Sequence, residues 1–392
     1  MIQFQISAPG SIILSGEHAM LYGKRSVVAG LDRRTTLKFA ELIDDPRNII
    51  KIEFPDVDIS LNLSWQLVQH LSSNNNLTYL NMNKILLLKH VEYFITLNGM
   101  WKTYPQRFSL QTFFFLLLFI AHHEGLDIKP FHVHLTTQLV IGAGLGSSTS
   151  FAVCLVACFL HWARLQRGTH DAFEFNELTI ISRYVSWYEK IIQEYMFGVD
   201  SGACSFGNIN VRFLGKNGIY FENYVMPMPR MKILLIDSRI HQNKHEQMKQ
   251  IAELKYSHSK FVNLILEKID KTSKQFCEKL GEIKINYING NSLELENSFI
   301  ALQIVVQVNQ SLLSKLNMSY PELDIICSIA RECGFAGKLT GFGRFVYILL
   351  SPDIPEVLIE NLSTHLMAEG FDSTITSMSC NGVSIHDYND QL

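Results

Sequence analysis

The first forty residues alternate short runs rich in Ile, Val, Thr and Phe with Pro and Gly, a pattern that predicts strands at 3–7, 11–14, 26–30 and 35–42. A polar SSNNN tract at 72–76 interrupts this order and reads as a loop. From 83 to 97 the apolar positions Ile85, Leu88, Val91, Phe94 and Ile95 share one helical face, and a second helix is expected at 109–123. The window LQTFFFLLLFIA inside it is shorter than the roughly 20 residues a membrane span needs, so it reads as a buried core helix. A strand at 131–136 then leads into VIGAGLGSSTS, Val140 to Ser150, with helices expected at 148–164 and 174–194.

In YVMPMPRM, Tyr224 to Met231, two prolines precede the apolar strand KILLID. This marks a boundary between an N-terminal domain, 1–226, and a C-terminal domain, 227–392. Beyond it, helices are expected at 244–268, 292–316 and 321–333, and strands at 338–340 and 345–350. Helices among a few strands suggest an α+β architecture.

With 392 residues, 47% of them hydrophobic, the chain can bury a large core. Its net charge of −3, with no basic block, gives no electrostatic footprint for nucleic acid, so an anionic ligand must be met locally. None of the seven cysteines stands in a zinc or redox spacing, which suits a reduced, cytoplasmic protein; neither a secretory leader nor a membrane segment is expected. Cys154 and Cys158 read as small core residues.

The glycine-rich stretch is spelled as neither common nucleotide motif: a Walker A loop needs a lysine, and a dinucleotide fingerprint needs a glycine where Thr149 stands. The shared physics remains. Glycines permit close backbone approach, and the amides of Gly146, Ser147 and Ser148 would stand at a helix N-terminus, where the dipole favours phosphate. Ser148 can also offer a hydroxyl to an accompanying metal. The same letters fit a plain turn with Ser147 as helix cap. Glu17 and His18 follow a strand in SAPGSIILSGEHAMLYG, and WYEKIIQEYMFGVDSG puts Glu189 on a helix and Asp200 just beyond it. Each alone fits a surface or capping role.

Together these stretches resemble the mevalonate kinases, within the superfamily that also holds galactokinase, homoserine kinase and phosphomevalonate kinase. The resemblance rests on APG…GEHA…YGK, GAGLGSS, GVD, GKLTGFG (Gly337 to Gly343) and GFDSTITS…GVSIH (Gly370 to His386), in family order over almost the whole chain. It implies a two-domain kinase of the GHMP type with its active site in the cleft between domains. It further implies ATP-dependent phosphorylation of the terminal hydroxyl of mevalonate. Thr137, Gly142, Ala143, Gly144, Leu145, Gly146, Ser147 and Ser148 would meet ATP, and Ser148 and Glu189 would hold Mg²⁺. Asp200 would take the substrate proton, with Glu17 and His18 positioning mevalonate. A cytoplasmic homodimer is implied too, with the apolar helices at 110–121 and 151–160 as its expected interface.

The chain departs from the family where a lysine facing the base is replaced by Ser11, which predicts slow turnover that Ser11→Lys should raise unless another cation, Lys24 or Arg344, has taken over. Tyr195-Met196-Phe197 replaces a small polar loop before Gly198-Val199-Asp200, Phe151 stands where a tyrosine is usual, and bulky Phe342, Phe345 and Tyr347 crowd the third motif. Arg344 reads as a surface charge. Two alternatives remain open: an impaired or non-catalytic paralogue that binds ATP or an isoprenoid, and a kinase for a related small hydroxy acid. His122 and His123 read as partners of a helix C-terminus, and His241 and His245 as exposed.

Overall fold

The computed structural model describes residues 1–42, 45–72, 83–193, 199–214, 221–241 and 243–388. The predicted short N-terminal strands merge into two long ones: β1 (Gln3–Ser15) and β2 (Ser26–Glu41) pair antiparallel from Gln3↔Ala40 to Ser15↔Val27. The break expected at Pro9-Gly10 is a register shift, not a strand end. Proline has no N–H to donate there, so the ladder slips and continues. A Cβ on Gly10 would stand 2.7 Å from the Leu145 carbonyl oxygen, so glycine lets β1 touch the glycine-rich loop.

β3 (Ile49–Phe54) and β4 (Ile59–Ser64) form a hairpin; β5 (Phe131–Thr137) runs parallel to β3 and antiparallel to β2. β6 (Ile209–Leu214) pairs with β2 and with β7 (Phe221–Met226), and β8 (Met231–Asp237) follows beyond the prolines. β9 (Gly337–Thr340), β10 (Phe345–Leu349) and β11 (Asp372–Met378) extend the sheet from β8, and Met378 pairs with Leu31 of β2. The last strand, β12 (Ser384–His386), returns to β1. Among the described residues this is one mixed sheet of twelve strands.

The first helices are α1 (Trp65–Ser72), α2 (Lys84–Leu97) and α3 (Tyr104–Glu124), the last opened by a reciprocal Thr103–Gln106 cap and closed by left-handed Gly125. Leu110 to Ile120 of α3 are buried all round, as the apolar window predicts. α4 (Ser147–Leu165) is the one helix among the described residues long and apolar enough to cross a membrane, and most of that stretch is buried inside the fold. Because α3 and α4 are consumed by the chain's own core, neither is free to supply the subunit interface expected of them. α5 (Phe175–Gln193) and α6 (Val199–Phe206) complete this half.

The single helix expected at 244–268 is two, α7 (Lys244–Ser257) and α8 (Ser259–Asn289), parted at His258, whose φ of −131° and ψ of 49° are not helical. α9 (Ser292–Lys315), α10 (Pro321–Glu332) and α11 (Glu356–Ala368) follow. One apolar core belongs to the N-terminal strands with α3 to α5. A second joins β1, β2 and β6 to β8, β10, α8 and α9, and a third lies around β8 to β10 with α7, α8, α10 and α11. Most of the 72–76 tract, and Tyr195 to Gly198, lie outside the described residues.

Candidate active site

The chain leaves β5 at Thr137 and enters α4 at Ser147, and between them Gly142, Gly144 and Gly146 all have positive φ. The helix cap is left-handed Gly146, not Ser147. Glycine is required there twice over: φ is +72°, and a Cβ would fall 2.2 Å from the Ser11 hydroxyl. Ser147 instead accepts from the Gly142 amide at 3.3 Å and braces the loop. The side chains of Ala143 and Leu145 are buried in the core beneath, so these two offer a ligand only backbone. The first amides of α4 have no partner within the helix, and its dipole adds positive potential at the same place, which suits phosphate.

Ser11 ties this loop to the aspartate. Its amide donates to the Leu145 carbonyl at 3.1 Å and its hydroxyl to Asp200 Oδ1 at 2.8 Å. Asp200 lies in the first turn of α6. Burial pushes its carboxyl above the usual carboxylate range, opposed by the Ser11 hydrogen bond and the Lys244 charge. The other carboxylate oxygen has no hydrogen-bond partner among the described residues. The carboxylate thus has one oxygen fixed and one to offer, and holds a proton more readily than an exposed aspartate.

Glu189 projects from α5 into a buried site. Thr149 donates to its Oε1 at 2.5 Å, and Oε2 has no partner among the described residues. Burial raises its carboxyl to about 8, with the Asp200 charge adding to the rise and the Thr149 bond and Lys244 opposing it. A buried carboxylate oxygen without a donor, beside the hydroxyl-bearing first turn of α4, is a hard oxygen set of the kind Mg²⁺ takes. The residues therefore fit that ion. Among the described residues no cluster of three or more His, Cys, Asp or Glu could hold a metal unaided. This suits an ion that shares its shell with phosphate and water.

A cavity of about 560 Å³ opens between the loop and α7. Thr137, Gly142, Gly144, Gly146, Ser147, Ser148 and Asp200 all line it. Phe54, Phe108 and Phe151 give it an apolar lining, and Lys244, His245 and Phe342 line it as well. Ser11, Glu17, His18 and Glu189 do not line it. Glu17 is buried in an ion pair with Lys338, Nζ to Oε1 2.5 Å, and His18 packs edge-on against Phe342 with ring centroids 5.6 Å apart. Among the described residues neither His18 nitrogen has a partner, and burial, with the Lys338 charge, drops its pKa to about 4.

Several residues were not singled out from sequence. Lys338 carried a signal: a lysine between apolar strand residues must find a buried anion, and Glu17 is that anion. Thr149, one residue past the expected serines, holds Glu189. Asp56 accepts from the Thr137 amide at 2.8 Å and fixes the end of β5, while the Thr137 hydroxyl pairs with Thr35 at 2.9 Å. Arg344 is not a loose surface charge: it donates twice to Asp237, at 2.9 and 2.8 Å. Phe345 and Tyr347 are buried in the sheet, leaving Phe342 as the bulky residue at the cavity. His123 Nδ1 donates to the Phe119 carbonyl in the last turn of α3, and His241 and His245 are exposed, the latter lining the cavity.

Residues 112–185 match the model of the GHMP kinases N terminal domain. The chain is 26% identical to a mevalonate kinase of Gibberella zeae, over 97% of this chain and 77% of the relative, and 26% identical to that of Bos taurus, over 97% and 94%. Among solved structures it superposes on the Methanococcus jannaschii mevalonate kinase with a TM-score of 0.62, at 20% identity, covering 99% of each chain. It superposes on the L. major mevalonate kinase in complex with R-mevalonate with a TM-score of 0.61, at 14% identity, covering 95% and 94%. The fold is that of the GHMP kinases, as the motifs implied.

Proposed function

We infer that the chain, a kinase of the GHMP fold, transfers the γ-phosphate of ATP to the terminal hydroxyl of mevalonate, giving 5-phosphomevalonate. The observation that carries this reading is Asp200, tied by Ser11 to the positive-φ glycine loop and lining the same cavity as that loop. The triphosphate lies along the amides at the start of α4, and the flat base of ATP fits the apolar wall of Phe54, Phe108 and Phe151. Ser148 and Glu189 would hold Mg²⁺, which supplies charge neutralisation for the phosphates when bound. Asp200 takes the proton of the attacking hydroxyl through the oxygen that Ser11 leaves unbonded. Its raised affinity for protons makes it a stronger base than an exposed aspartate. Glu17 and His18 act from behind Phe342, keeping that wall in place beside the substrate.

Phosphoryl transfer depends mainly on placement and charge stabilisation, which these groups supply without covalent chemistry. Cytoplasmic location and assembly as a homodimer belong to the same proposal, and sedimentation measures the second. The test of the reaction is label transfer from γ-labelled ATP. Label should appear in a mevalonate phosphate ester in the presence of Mg²⁺. Label that stays in ATP, or goes only to water, would overturn the assignment.

A further inference from the structure

The site gathers acidic groups. Asp200 lines the cavity that is to receive a triphosphate, the Glu189 carboxyl is buried near enough for the Asp200 charge to raise it further, and Ser11, which touches Asp200, brings no charge. Among the described residues lining the cavity there is one Lys or Arg, and it is Lys244. The other cations near these motifs are committed elsewhere: Lys24 to Glu267, Arg344 to Asp237, and Lys338 to Glu17. Lys244 has no ion-pair partner among the described residues.

We propose that Lys244 is a catalytic residue of this kinase, its ammonium meeting the γ-phosphate and stabilising the charge that develops as that group is transferred. The inference rests on the ATP-dependent reading of the site. Lys244 is the first residue of α7, fixed by Asn243, whose side chain accepts from the Glu246 amide at 3.1 Å. Its Nζ stands 5.4 Å from the Phe342 ring centroid, within the range where an aromatic face attracts a cation. Phe342 follows Gly341, and a Cβ on Gly341 would be 3.1 Å from the Gly144 carbonyl oxygen. The run Lys244, Phe342, Gly341, Gly144 thus links the start of α7 to the glycine loop, and Lys244 lines the same cavity as Asp200. The Lys244 charge also opposes the upward shifts of both Asp200 and Glu189, so it acts on both carboxyls. A cation recruited from α7 does the work for which β1 supplies only a hydroxyl, and the slow turnover expected from Ser11 alone gives way to the ordinary roughly 1–100 s⁻¹ of kinases.

The experiment compares the full chain with Lys244→Met and Lys244→Arg, each first checked for an unchanged melting temperature. Calorimetric titration with Mg-ADP and with a non-hydrolysable Mg-ATP analogue reads the γ-phosphate contact without turnover. Lys244→Met should weaken the ATP analogue about tenfold while ADP stays within about twofold, and Lys244→Arg should restore most of the difference. In mevalonate-dependent turnover, kcat of Lys244→Met should fall about 10²-fold or more, with KM for mevalonate little changed. Equal weakening of both nucleotides, or no weakening, would overturn the assignment of Lys244. A parent protein that does not phosphorylate mevalonate, yet shows the selective loss in the methionine variant, would overturn the substrate and leave Lys244 in place.

Discussion

Replacing Lys338 by methionine should destabilise the protein far more than its surface lysines would, and the loss should depend on pH. The Lys338 and Glu17 side chains are 0% and 1% exposed, and the Lys338 ammonium also donates to the Leu339 carbonyl at 2.8 Å. Removing one partner of such a pair leaves an uncompensated charge and costs about 3–5 kcal/mol, whereas replacing both by neutral groups of similar volume is close to neutral. Burial already raises the Glu17 carboxyl, and both Lys338 contributions lower it. Without the lysine the folded protein holds a proton on Glu17 that the unfolded chain releases above its ordinary value near 4.5. Folding then takes up protons, so the variant loses stability as pH rises from about 5 to 8. Urea unfolding of Lys338→Met, Glu17→Gln and the double variant at both pH values measures this. The account expects the double variant to recover most of the loss and to flatten the pH dependence. Costs of the single changes that simply add would refute the coupling.

Three further outcomes follow from the geometry. Gly146→Ala should cost more than about 1 kcal/mol and weaken ATP, because its φ is +72° and the new Cβ meets the Ser11 hydroxyl; thermal melts and nucleotide titration measure both, and an unchanged melt would contradict the close approach. Thr149→Val removes the donor to Glu189 and should push that carboxyl further above about 8, so activity at neutral pH should need more Mg²⁺, with overlaid magnesium titrations as the contrary result. His18 and His161 both have pKa values lowered to about 4. Between about 6.5 and 4 the unfolded chain therefore binds protons that the folded one refuses, and melting temperature should fall as pH drops through that window.

The parts of this molecule legible in the sequence were those set by local chemistry. The glycine spacing located the turn into α4, and the apolar window at 110–121 located a core helix. What escaped depended on distant partners. Pro9-Gly10 looks like a strand end because neither residue suits a ladder, yet β2 and the glycine loop hold β1 together through it. The strands at 49–54 and 59–64 are short and went unassigned, as did β12, which exists only as a partner of β1. Within the site, Ser11, Glu189 and Asp200 came from motif order. Thr149 and Lys338 are defined by what they touch, and Lys244 by the cavity it borders, which no spacing encodes. Helices α3 and α4 looked like an interface because apolarity does not say whether the covering surface belongs to the same chain.

The most direct test of the central claim is steady-state ADP release under saturating Mg-ATP and mevalonate for the parent and Asp200→Asn. The amide is nearly isosteric with the carboxylate and can still accept from Ser11, but it cannot take the substrate proton. The account predicts mevalonate-dependent ADP release in the parent and a loss of about 10²–10⁴-fold in kcat for the variant, with melting temperature and ATP affinity retained. A variant that turns mevalonate over at the parent's rate would show that Asp200 is not the base and would contradict the account.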